Sequence, residues 1–209
     1  MPKRSITFII ALFLVFCLSF PALAEGSKVE EFFWSRQWAA LEQEIRSQGS
    51  GSSSRDRVLY ANALWLQGRW APALEVFLEE RNTLPEKMRP FADMLIALGF
   101  ERTGNPQKAR EVALSLWNVE EWFLSPYVAY ALGRISLSEG NGSEAGGWFR
   151  AMTERTRDPG LKRQALEALI KLPAPRVEDA LALLELAPFH RGALKIIREA
   201  ADADDPRTA

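Results

Sequence analysis

The sequence has one cysteine, one histidine and no long run of lysine or arginine. The cysteine, Cys17, lies inside an apolar N-terminal stretch. If that stretch is removed, no disulfide can form in an oxidising compartment. A lone His190 with no cysteine partner argues against a zinc site, and following Pro188-Phe189 at a helix start it is not read as the base of a serine nucleophile. Without a basic stripe the chain lacks the electrostatic footprint of a nucleic-acid binder. No phosphate-cradling glycine loop occurs, because Gly140-Asn141-Gly142 is not followed by Gly-Lys-Ser/Thr. Glu79-Glu80 and Glu120-Glu121 are adjacent pairs. On a helix such neighbours diverge by about 100° and do not face one site. The expectation is a protein without catalytic residues, cofactor or metal.

Aromatics, by contrast, are plentiful, with seven tryptophans and twelve phenylalanines in 209 residues. The N-terminus has the layout of a cleavable export signal. Lys3 and Arg4 precede an apolar run over residues 6–20, then Pro21 and the small-residue site Ala22-Leu23-Ala24. The run falls short of the about 20 residues that span a bilayer. Residues 1–24 are therefore expected to be cut away, leaving a mature chain that begins at Glu25. Phe16 before Cys17 does not suit lipidation. Loss of Lys3 and Arg4 takes the formal charge from −1 to −3. The expected location is periplasmic or secreted, with membrane contact only through an uncleaved signal segment.

Beyond the leader the sequence repeats. Gly68, Gly104 and Gly140 are spaced by 36 residues, and so are Ala73, Ala109 and Ala145, with Ala180 following after 35. A second small position, at Ala61, Ala97, Gly133 and Ala168, lies 12 residues before each of these. Phe77, Ala113, Phe149 and Leu184 stand four residues after them, on the same helix face. Two small residues let a pair of helices approach, and the larger one fills the next gap. Glycine ends a helix in the left-handed conformation without a Cβ clash. Pro72 and Pro106 suit the first turn of the helix that follows.

This pattern resembles the tetratricopeptide repeat family, with Ala61, Gly68, Ala73, Phe77 and Pro85 in the family's positions. The resemblance covers residues 54–188 as four degenerate hairpins. It departs in its period of 36, in Glu80, Leu116 and Met152 at the third small position (Ala187 alone fits), and in Pro173-Ala174-Pro175 in place of a glycine turn. It implies an all-α solenoid of antiparallel helical hairpins. An N-terminal helix or half-repeat is expected over residues 25–46, where Trp38-Ala39-Ala40-Leu41-Glu42 echoes Trp70 to Glu75. A Gly/Ser loop is expected over 47–54, hairpins over 55–188, a capping helix over 189–201 and a frayed tail over 202–209.

The resemblance also implies a concave groove lined by the first helix of each repeat. Its inner positions fall at Val58, Asn62 and Trp65, then Phe91, Met94, Leu98 and Arg102, then Tyr127, Tyr130 and Arg134. The expected ligand-binding residues are Asn62, Trp65, Phe91, Met94, Leu98, Tyr127, Tyr130 and Arg134. The aromatics offer broad faces with polar tips. Of the carboxylate-clamp residues known in the family only Asn62 is matched, since Val58, Leu95, Tyr127 and Ala131 occupy the other places. The implied function is a non-catalytic exported scaffold for a protein or peptide partner in the cell envelope. The alternative is a peptidoglycan-associated scaffold resembling the helical, non-catalytic part of soluble lytic transglycosylases, whose catalytic glutamate motif is absent here.

Overall fold

Three glycines at a fixed interval establish the local architecture. In the computed structural model, which describes residues 27–117 and 124–203, Gly68, Gly104 and Gly140 all adopt the left-handed conformation, with φ of 77°, 81° and 80°. Each terminates a helix with the same wide hydrogen bond. The N–H of the following residue reaches the carbonyl five residues back, as Arg69 N to Leu64 O (2.9 Å), Asn105 N to Phe100 O (2.8 Å) and Asn141 N to Ser136 O (2.8 Å). This closure satisfies carbonyls that a helix end leaves unpaired. The next helix starts at once, in one case on Pro106, whose missing N–H costs nothing there.

The described residues are helical, with short 3-10 turns and no strand. The expected export signal (residues 1–24), with Cys17, the expected mature start at Glu25, and residues 204–209 lie outside them. The chain divides into two compact units, Met1–Val112 and Ala113–Ala209. The helices in order are α1 (Lys28–Trp34), α2 (Trp38–Gln48), α3 (Ser54–Leu66), α4 (Trp70–Glu80), α5 (Arg89–Arg102), α6 (Pro106–Trp117), α7 (Ser125–Ser138), α8 (Gly142–Arg155), α9 (Pro159–Leu169), α10 (Val177–Leu186) and α11 (Arg191–Ala203).

In the first unit, α1 packs on α2 and α3, α2 on α3, α3 on α4, and α4 on α5. The N-terminal segment is a complete helix pair rather than a single helix or half-repeat. Its turn copies the glycine turns, with Gln37 N bonded to Phe32 O at 2.8 Å. The left-handed position is held by Arg36, at φ 57°, the one non-glycine residue with positive φ among the described residues. The Gly/Ser loop is shorter than composition suggests. Helix α2 runs on to Gln48, Gly49–Gly51 forms a 3-10 turn, and Ser53 caps α3 by accepting from Asp56 N. A hydroxyl at the N-cap draws the chain into helix earlier than a serine-rich run implies.

In the second unit, α7 packs on α8, α8 on α9, α9 on α10 and α10 on α11. Gly133 lies against the ring of Phe149. A Cβ placed on it would stand 2.6 Å from Phe149 Cε1. The small residues Ala61, Ala73, Ala97, Ala109 and Ala145 are wholly buried, as are Phe77, Ala113 and Phe149 beyond them. The fourth repeat is out of register. Ala168 and Leu184 are only partly buried, while Leu166, Leu169 and Leu183 fill the core beside Ala180 and Ala165 packs with Ala129 and Met152. Its link through Pro173 and Pro175 has no left-handed glycine, so nothing holds the rotation of α10 to the earlier pattern. At the chain's end Ala193, with Ile196 and Ile197, closes the core of this unit.

Glu80, where a small residue is expected, is buried and takes Arg57 of α3 at 2.7 Å. Arg57 also pairs with Glu79. The carboxylate is therefore met by a cation, as burial of a charge requires.

Candidate functional site

The eight expected groove residues fall into two groups. On α3, Asn62 and Trp65 are each 2 % exposed. Asn62 Nδ2 donates to Val58 O at 2.8 Å, and the Trp65 ring stands edge-on to Trp70 (5.0 Å) and Phe77 (6.4 Å). On α5, Phe91, Met94 and Leu98 are buried. These five residues are packing, which corrects the expectation that they line an open groove. Helix α3 is enclosed by α1, α2 and α4, and α5 carries α4 against it, where the backbone of Gly99 meets Leu74. Burying an apolar side chain of this size contributes about 1.5–3 kcal/mol.

The other three expected residues differ. Tyr127, Tyr130 and Arg134 stand on α7 at steps of three and four, and all three are partly exposed. Leu124 N-terminal to them is buried, and Pro126 in the first turn fixes the helix start. Tyr130 leans on the core, its ring centroid 6.0 Å from that of Phe149. Burial pushes the Tyr127 phenol above its usual pKa, and the negative charge of Asp158 adds to the effect. Asp158 itself caps α9, accepting from Gly160 N and Leu161 N.

The stripe can offer two amphipathic ring faces and a guanidinium along one helix. Nothing in it forms a nucleophile–base pair. His190 has a structural task, since its Nδ1 accepts from Ala193 N at 3.3 Å at the start of α11. Among the described residues no group of three His, Cys, Asp or Glu side chains could hold a metal ion, and no helix is long and apolar enough to cross a membrane.

An aromatic array in the second unit escaped sequence reasoning. The Arg155 guanidinium lies 3.8 Å from the Trp117 ring centroid, and Trp117 meets Trp148 edge-to-face at 5.1 Å. Trp148 Nε1 donates to Glu144 Oε1 at 3.3 Å. The i to i+7 spacing of Trp148 and Arg155 was visible, but Trp117 comes from another helix and carries no local signal of this pairing. No family model, curated protein or solved structure matches the chain.

Proposed function

We propose that the protein is a non-catalytic, exported scaffold of tetratricopeptide-like helix pairs, and that α7 presents its contact surface to a peptide segment of an envelope partner. The recurrence of one turn at 36-residue intervals carries the repeat reading, with the same φ and the same wide hydrogen bond each time. Stacked helix pairs provide binding surface without a catalytic centre. Partial exposure of Tyr127, Tyr130 and Arg134 supports placing the contact on α7, because amphipathic aromatics and arginine are the side chains that concentrate binding energy. The planar arginine fork suits a carboxylate on the partner.

The test is crosslinking capture from the native envelope with wild type, a Tyr127→Ala/Tyr130→Ala variant and an Arg134→Glu variant, with helicity followed by circular dichroism. The variants should stay helical and lose the captured protein, since truncated hot-spot aromatics cost about 2 kcal/mol or more. A variant that unfolds identifies the rings as core. A folded variant that still captures the same protein places the contact elsewhere. Retention on isolated peptidoglycan, unaffected by these substitutions, would favour the glycan scaffold.

A further inference from the structure

The α7–α8 turn contains a reactive pair. An asparagine followed by glycine is the most open to attack on its own carboxamide, because glycine has no side chain to hinder the approach of its backbone nitrogen. The chain has five asparagines, followed by Ala63, Thr83, Pro106, Val119 and Gly142. Asn141 alone precedes glycine, and it is exposed at the N-cap of α8. Gly142 is the first residue of that helix. Its N–H is one of the donors that a helix start leaves without an intrahelical partner, in a turn that frays readily.

We propose that Asn141 is a modification site at which the chain deamidates through a cyclic imide. The Gly142 nitrogen gives up its proton to solvent base and bonds to Asn141 Cγ. The Cγ–Nδ2 bond breaks and that nitrogen departs as ammonia. One water then opens the imide at either carbonyl, giving aspartate or the β-linked isoaspartate. No oxidant or reductant takes part.

The preceding glycine turn, in which an asparagine also follows the glycine, provides an internal control. Asn105 follows Gly104 with the same left-handed φ and the same 2.8 Å backbone bond as Asn141. The next residue is Pro106, whose nitrogen has no proton to lose, so the imide cannot form there. What restrains Asn141 is its cap. Oδ1 accepts from Glu144 N at 3.1 Å, and Nδ2 donates to Glu144 Oε2 at 3.1 Å.

The two products differ in effect. Aspartate caps a helix as well as asparagine does and suits the positive helix start, but it gives up the donor to Glu144 and sets two carboxylates together. Isoaspartate adds a backbone methylene between left-handed Gly140 and the helix. The Asn141 N to Ser136 O bond and the side-chain cap cannot then both persist, and the α7–α8 pair loosens.

The experiment ages purified folded protein at neutral to mildly alkaline pH, maps peptides by mass spectrometry and labels isoaspartate with an isoaspartyl methyltransferase. The expected result is conversion at position 141 with a new acidic band on isoelectric focusing, while Asn105 stays intact. Gly142→Pro should abolish the label, and Gly142→Ala should slow it several-fold. Pro106→Gly should make Asn105 reactive. If Asn141 stays intact in the folded protein but converts in the same chain held in urea, the cap protects it and the proposal fails. Label at another asparagine in place of Asn141 also refutes it.

Discussion

Substitution of Gly133 tests the packing of α7 on α8 directly. A Cβ at this position would stand 2.6 Å from Phe149 Cε1 and 2.9 Å from both Cδ1 and Cζ. Ordinary carbon contacts lie at about 3.5–4.0 Å, so even alanine needs the ring or the helix to move by about 1 Å. Phe149 is 1 % exposed, with Ala145, Leu166 and Leu169 in the same core cluster, so its ring can shift only by displacing packed neighbours. Alanine in mid-helix gains about 1 kcal/mol over glycine from propensity; overpacking costs about 1–3 kcal/mol. Gly133→Ala should come out destabilised by up to about 2 kcal/mol, and Gly133→Leu should fall at or beyond the top of the overpacking range. Urea unfolding followed by circular dichroism measures both. Gly147→Ala is the control, because a Cβ there meets nothing within 4 Å, and it should stabilise by about 0.5–1 kcal/mol. Phe149→Leu should relieve Gly133→Ala in a double-mutant cycle. If Gly133→Ala raises the midpoint as Gly147→Ala does, position 133 is not a helix–helix contact and the register of the repeat is wrong.

Other expectations concern single contacts. Arg36→Gly should stabilise the α1–α2 turn by up to about 1 kcal/mol, since glycine relieves the left-handed strain but loosens the unfolded chain; a loss of stability would mean that the arginine side chain outweighs its backbone cost. Arg57→Met should destabilise by about 1–3 kcal/mol, because buried Glu80 would lose its cation; thermal unfolding checks this, and Glu80→Gln in the same background should recover part of the loss. Burial raises the Tyr127 phenol above its ordinary pKa of 10.0 in the folded state, so its contribution is full below pH 10.0 and is lost as pH rises through the folded pKa. Tyr127→Phe should flatten the stability profile on the alkaline side, and an unchanged profile would show that this phenol is not perturbed.

The repeat could be read from residues whose physical roles are narrow. A left-handed helix stop favours glycine, and a close helix contact favours glycine or alanine, so Gly68, Gly104, Gly140 and Gly133 are legible in the sequence. Arg36 takes the same conformation, but arginine does not signal it, which is why the first helix pair looked incomplete. Register was lost where the turn residue changed: Pro173 and Pro175 do not specify the rotation of α10, and Leu184 packs at the margin of the core while Leu183 fills it. The candidate site was the hardest part to read. Periodicity marks which residues share a face, but a face can be open or covered. Phe91, Met94 and Leu98 form a stripe as regular as Tyr127, Tyr130 and Arg134, and only packing partners distinguish them. The Trp117–Trp148–Arg155 array depends on helices separated in sequence, for which no local pattern exists.

The three-residue turns also bear on how the chain folds. Within each unit the packed helices are chain neighbours, with α1 on α3 as a skip of one. Contacts of such short sequence separation need little loop closure before they stabilise anything. Helical domains of this type fold in microseconds to milliseconds. If the helix pairs behave as the proposed repeat units, a nucleus can start at any pair and grow to the next within its unit, and the glycine turns then act as starting points as well as corners. Slowing one turn, for example by replacing Gly68, should lower the folding rate less than it lowers stability, because the other pairs still nucleate.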